Sequence, residues 1–177
     1  MVINKTKKSP NFWPESPGIV KNAIVIHRTA GRGIGSLEWI LAPQSKVSYH
    51  YLIMESGKIY EIVEPKNCAW HAGIIKNPTA EIIDPKLNPN RHTFGIAFAG
   101  YETEPLTKEQ VLNGCQLIAN IARKYQIKID KKHIIGHNEI RSDKTCPGIE
   151  VPVKILRQLV LLFYWSNIIR RQKNPLN

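Results

Sequence analysis

Residues 23–27 read AIVIH, a short apolar run in which three of the five residues are β-branched. That pattern is the signature of a buried strand, and it delivers His27 at the strand's C-terminal end. Open α/β sheets place their chemistry at such ends. The fold expected around this run is α/β, a mixed central β-sheet flanked by α-helices, with the site at strand ends on one sheet edge. A chain of 177 residues with 42% hydrophobic content supports one core and hence a single domain.

Moving outward, AGRGIGS at 30–36 carries three glycines but lacks the Lys-Ser/Thr of a phosphate loop and the acidic partner of a dinucleotide site. It reads as a loop, with Ser36 capping a short helix that runs through Ile40 and ends at Pro43. Residues 47–63, VSYHYLIMESGKIYEIV, read as a hairpin turning at Glu55, Ser56 and Gly57. Strict alternation then puts Tyr49, Tyr51 and Ile53 on one face and His50 and Leu52 on the other. The stretch from Cys68 to Pro89 is rich in Gly, Pro and Asn, and Trp70 and His71 within it are candidate substrate contacts on a surface loop. Phe94 to Ala99 reads as a strand. Thr107 and Gln110 mark a capping box, followed by Val111, Leu112, Cys115, Ile118, Ala119, Ala122 and Tyr125 at helical spacing. Ile134 and Ile135 form a brief strand into His137, and a last helix follows Pro152.

The net charge of +11 is concentrated at the ends: residues 1–22 hold four Lys against one Glu, and residues 151–177 hold five Lys or Arg and no acid. Residues 1–20 are expected to be a basic arm lying on the surface or flexible, with Asn11, Phe12 and Trp13 as pins. Residues 21–177 form the main domain, of which 151–177 is a basic amphipathic C-terminal helix. Its apolar face holds Leu156, Leu159, Val160, Phe163 and Ile168, and Arg170, Arg171 and Lys173 suit the helix end. Its unbroken apolar run, Leu159 to Trp165, is seven residues, far below the ~18 needed to span a bilayer. Basic ends attract polyanions, here an anionic envelope or membrane surface; no helix-turn-helix, zinc-finger or RNP pattern accompanies them, which argues against nucleic acid. Three cysteines at no framework spacing argue against a disulfide scaffold. No apolar h-region follows the early lysines, so synthesis in the cytoplasm without a signal peptide is expected.

The stretch 133–148, HIIGHNEIRSDKTCPG, brings His137, Lys144 and Cys146 within ten residues. A catalytic zinc site uses three protein ligands and leaves a fourth position open. His27, His137 and Cys146 meet that requirement, although spacing alone does not bring residue 27 to residue 137. A cysteine peptidase using Cys146 with His137 is the mechanistic rival.

The segments IVIHRTAG, VSYHYLI with SGKIYE, AWHAG, NRHTFGIAFAG, and IIGHNEI with KTCPG resemble, in order and approximate spacing, the zinc-dependent N-acetylmuramoyl-L-alanine amidases of the type-2 family. That family includes phage endolysin amidases and peptidoglycan recognition proteins, and the resemblance covers roughly residues 20–160. It implies that His27, His137 and Cys146 bind Zn2+ and that Tyr49 and Lys144 assist the zinc-bound water; it leaves His50 and Asn90 mainly structural. The implied substrate is the muramyl peptide of peptidoglycan, cut between N-acetylmuramic acid and L-alanine. The Tyr, Lys and Cys together point to the phage-like or recognition-protein branch. With no signal peptide and basic ends, the expected protein is an endolysin, a monomer, that acts on the wall after release or holin-type export. A cytosolic amidase that recycles muropeptides and a non-catalytic recognition module are the alternatives.

Overall fold

The computed structural model describes residues 2–173, with side chains of the last helix described through residue 166. Among the described residues eight strands form: β1 (Ile3–Asn4), β2 (Phe12–Trp13), β3 (Ala23–Arg28), β4 (Tyr51–Ile53), β5 (Ile59–Glu61), β6 (Cys68–Ala69), β7 (Thr93–Phe98) and β8 (Ile134–Gly136). Six of them make a mixed sheet in the order β1-β5-β4-β7-β3-β8, in which only the β4–β5 pair is antiparallel. β2 and β6 pair separately. The AIVIH run lies at the heart of this sheet, with every residue of β3 buried and parallel neighbours on both sides.

Four α-helices accompany the strands among the described residues: α1 (Gly33–Leu41), α2 (Pro89–His92), α3 (Lys108–Lys124) and α4 (Val153–Lys173). Residues on one sheet face, including Ile24, Ile26, Ile53, Phe94, Ile96 and Phe98, pack with Ile118 and Ala122 of α3 and Leu156 and Val160 of α4. The other face carries two smaller clusters. Leu37 and Ile40 of α1 cover Leu52, Tyr60 and Ala97, while Val25 and Ile135 pack with Ala72, Ile83 and Ile140. His27 shares the parity of Val25 and so points to this second face.

Several expectations change. Ser36 does not cap α1: Arg32 holds the N-cap position without a side-chain bond, and Ser36 lies buried inside the helix beside the Thr29 hydroxyl. Tyr49 packs with Leu52, not with Tyr51. The regular strand begins only at Tyr51, and at His50 both backbone and ring bond to Gly95, so alternation does not extend back to residue 49. The capping box of α3 forms as expected, and Gln110 also donates from inside the core to the carbonyls of Ile53 and Ala99.

Residues 2–20 are built into the molecule. β1 extends the sheet, the Ser9 hydroxyl donates to the Ile40 carbonyl, and Asn11 Nδ2 donates to the Ala42 carbonyl. Part of their positive charge is matched internally, because Lys8 Nζ lies 2.9 Å from the buried Glu61 carboxylate. The expected positions of the Ile168, Arg170, Arg171 and Lys173 side chains lie outside the described residues. No helix among the described residues is long and apolar enough to cross a membrane.

Candidate metal centre

His27 is the fifth residue of β3, and His137 opens a 3-10 turn directly after β8, so two adjacent parallel strands bring them to the same level. The turn is held by Glu139, which accepts from the Gly136 N–H through its side chain and from Thr79 and Ala80 through its carbonyl. The Asn138 N–H donates to the Cys146 carbonyl at 2.8 Å, tying the cysteine's turn to the histidine's. One ligand atom from each of His27, His137 and Cys146 then lies within 4.8 Å of the others. The site therefore sits on the second sheet face near the C-terminal ends of β3 and β8, beside the small side chain of Ala97, which pairs with His27 across β7.

The donor atoms suit a zinc ion. Cys146 Sγ lies 3.8 Å from His27 Nδ1, and tetrahedral coordination with ordinary zinc–sulfur and zinc–nitrogen bonds calls for about 3.6 Å. Both imidazoles are held neutral, as metal binding requires. Burial, then the neighbouring His137 and His71 rings, pull the pKa of His27 well below its usual value. Burial lowers His137 too, with Arg141 and Lys144 adding repulsion. Burial pushes the Cys146 thiol up to about 12, against an N–H donation from Arg28 at 3.3 Å. A thiol in that condition is a poor free nucleophile at neutral pH, whereas a bound cation deprotonates it outright.

The other predicted residues divide. The Tyr49 ring lies 5.0 Å from the His27 ring, and its hydroxyl has no hydrogen bond among the described residues. Burial first, and then Cys146, hold it protonated well above the usual tyrosine range. Lys144 is exposed, without an ion pair among the described residues, and lines a cavity of about 650 Å³ with Glu102, Asn138, Thr145 and Gly148. His71, expected on a surface loop, is buried beneath His27, its ring nitrogens 3.1 Å from His27 Nε2 and 3.2 Å from Thr93 Oγ1. Trp70 packs against Trp13 at 5.6 Å between ring centroids. Sequence reasoning missed the involvement of Thr93 and Ala72, whose carbonyl accepts from His137 Nε2 at 3.0 Å, and the presence of Glu102 beside Lys144. A backbone carbonyl carries no mark in a sequence, and one threonine at a strand start resembles any other.

The chain is 33% identical over 97 residues to the 1,6-anhydro-N-acetylmuramyl-L-alanine amidase AmpD of Haemophilus influenzae, a match covering 55% of this chain and 49% of that protein. It is 40% identical over 80 residues to N-acetylmuramoyl-L-alanine amidase A of Achromobacter lyticus, covering 45% of this chain and 37% of that protein. The chain thus spans about half or less of the curated relatives it matches. Its fold superposes on the crystal structure of a selenomethionine AmpD derivative with a TM-score of 0.74 at 21% identity, covering 90% of this chain and 95% of that one. The profile of the family described as Amidase_2, N-acetylmuramoyl-L-alanine amidase, matches residues 17–149, three-quarters of the sequence, and the chain belongs to that family.

Proposed function

We propose that this protein hydrolyses the amide between the lactyl group of N-acetylmuramic acid and the L-alanine that begins the peptide stem of peptidoglycan. The observation that carries this reading is the convergence of His27, His137 and Cys146, one ligand atom of each within 4.8 Å of the others, with the Tyr49 ring 5.0 Å from the His27 ring. His27, His137 and Cys146 would hold a zinc ion, which when bound supplies an activated water and polarises the scissile carbonyl. Lys144, two residues before Cys146, holds its ammonium for the negative charge that grows on the carbonyl oxygen as the amide becomes tetrahedral. Tyr49, kept protonated, orients the attacking water or gives a proton to the leaving amine. Against a cysteine peptidase stands the Cys146 thiol, buried and raised to about 12.

An endolysin role fits the Tyr49, Lys144 and Cys146 set, together with the surface of α4. Ile155 is 52%, Leu162 67% and Trp165 58% exposed on that helix, beside the exposed Lys154. A basic helix with an apolar stripe suits an anionic envelope surface. The likeness to AmpD favours a second reading, in which soluble anhydro-muropeptides are the substrate.

The test is to digest purified peptidoglycan and identify products by mass spectrometry. Free stem peptides beginning with L-alanine are expected, lost on zinc removal and regained on its return. Sugar fragments alone would overturn the proposal, and cleavage confined to soluble muropeptides would select the recycling reading.

A further inference from the structure

Four hydrogen bonds on the second sheet face have only one consistent set of directions. The Thr93 hydroxyl lies 2.6 Å from the Pro89 carbonyl, which can only accept, so Thr93 donates there. Its oxygen is then an acceptor toward His71 Nε2 at 3.2 Å, and His71 carries its proton on Nε2. A neutral ring so protonated has a bare Nδ1, which accepts from His27 Nε2–H at 3.1 Å. His27 is left with its lone pair on Nδ1, the nitrogen that faces Cys146. A parallel constraint acts on His137, whose Nε2–H donates to the Ala72 carbonyl and whose Nδ1 is thereby freed.

Both constraints come from two consecutive residues on one stretch of backbone, the ring of His71 and the carbonyl of Ala72. That backbone is held by one side chain, because Asn90 Oδ1 accepts from the N–H of His71 at 3.1 Å and of Ala72 at 2.8 Å. β7 makes room for the arrangement: a Cβ on Gly95 would collide with the His71 ring. We infer that Thr93 and Asn90, acting through His71 and Ala72, are positioning residues that set the tautomer of both ligand histidines before any ion arrives. Hydrogen-bond partners behind metal ligands fix ring orientation in this way, and losing one costs about 10- to 100-fold in metal affinity. The inference rests on zinc being the ion held by His27, His137 and Cys146, but the tautomers themselves are open to measurement in metal-free protein.

Nitrogen-15 spectra of histidine-labelled, zinc-free protein are expected to show His27, His71 and His137 all protonated on Nε2. Competition against a chromophoric chelator then reads zinc affinity. Thr93→Val removes the acceptor for His71, which can then protonate on Nδ1 and hand the reversed tautomer to His27. The expected result is mixed His27 tautomers and a 10- to 100-fold weaker affinity for zinc. Thr93→Ser restores both, and His71→Gln, whose amide can accept from His27 and donate to Thr93, falls short of the ~10-fold loss. A folded Thr93→Val protein with wild-type spectra and affinity would overturn the inference. So would Nδ1–H on His27 or His137 in the wild type, a measurement that stands even if no Thr93→Val protein folds. Wild-type protein that takes up no zinc would overturn the metal reading instead, with the spectra still deciding the orientation.

Discussion

Lys144 and Cys146 stand two residues apart, yet one is exposed and the other almost fully buried. Burial raises the thiol, while exposure leaves the ammonium in solvent, as the proposed role of Lys144 requires. Lys144→Ala is expected to cost about 10²- to 10³-fold in turnover, as loss of an oxyanion donor does, with zinc content unchanged. Turnover near wild type in that variant would remove Lys144 from the mechanism. His50 offers a different test. Burial lowers its pKa to about 3, although the Asn67 carbonyl accepts its Nε2–H, against ~6.5 in an unfolded chain. Above pH ~6.5 both states are neutral at this residue; below it the unfolded chain takes up a proton that the fold refuses. Stability therefore falls as pH drops from ~6.5 toward 3, by ~1.4 kcal/mol per unit from this residue. Urea denaturation of metal-free protein at stepped pH should show it, and His50→Gln, which can keep both hydrogen bonds, should give a slope shallower by one proton.

Between elements, small residues decide how closely neighbours approach. A Cβ on Gly114 of α3 would stand 2.5 Å from the Phe98 ring of β7, and Phe98 is completely buried. Alanine favours a helix over glycine by about 1 kcal/mol, but forcing one methyl into a packed core costs ~1–3 kcal/mol. Gly114→Ala is therefore expected to destabilise or at best break even, measured as the urea midpoint; a clear gain would show that Phe98 has room to move. The hairpin teaches a related lesson. Its two strands were legible, but the side on which Tyr49 falls was not, because His50 uses both its backbone and its ring on Gly95 before the regular strand begins. That break puts Tyr49 beside His27.

At the scale of the molecule, α4 serves the core and presents a surface at once. Leu156 and Val160 are buried against the main cluster, so Leu156→Ala should lose about 2–4 kcal/mol of stability. Deleting residues 151–177 would strip this cover from the sheet, and a loss of lysis would then report unfolding. The proposed envelope contact needs exposed positions instead. Leu162→Ser with Trp165→Ser is expected to leave hydrolysis of soluble muropeptides unchanged and to weaken binding to anionic vesicles; unchanged vesicle binding would refute the contact.

The apolar runs, the capping box and the total length were enough to read an α/β domain, because strand burial and helix amphipathicity are written in local periodicity. His27, His137 and Cys146 could be named as candidate ligands from the resemblance, but spacing alone left a cysteine peptidase open. Their meeting was not legible, for it depends on β3 and β8 lying side by side, a pairing across more than a hundred residues. The same holds for His71. In the sequence it belongs to a loop facing solvent, and only the close packing of that loop over Gly95 turns it inward, beneath His27. Local pattern determines which elements form, whereas the direction of a proton between two rings is decided by what the folded chain places behind them.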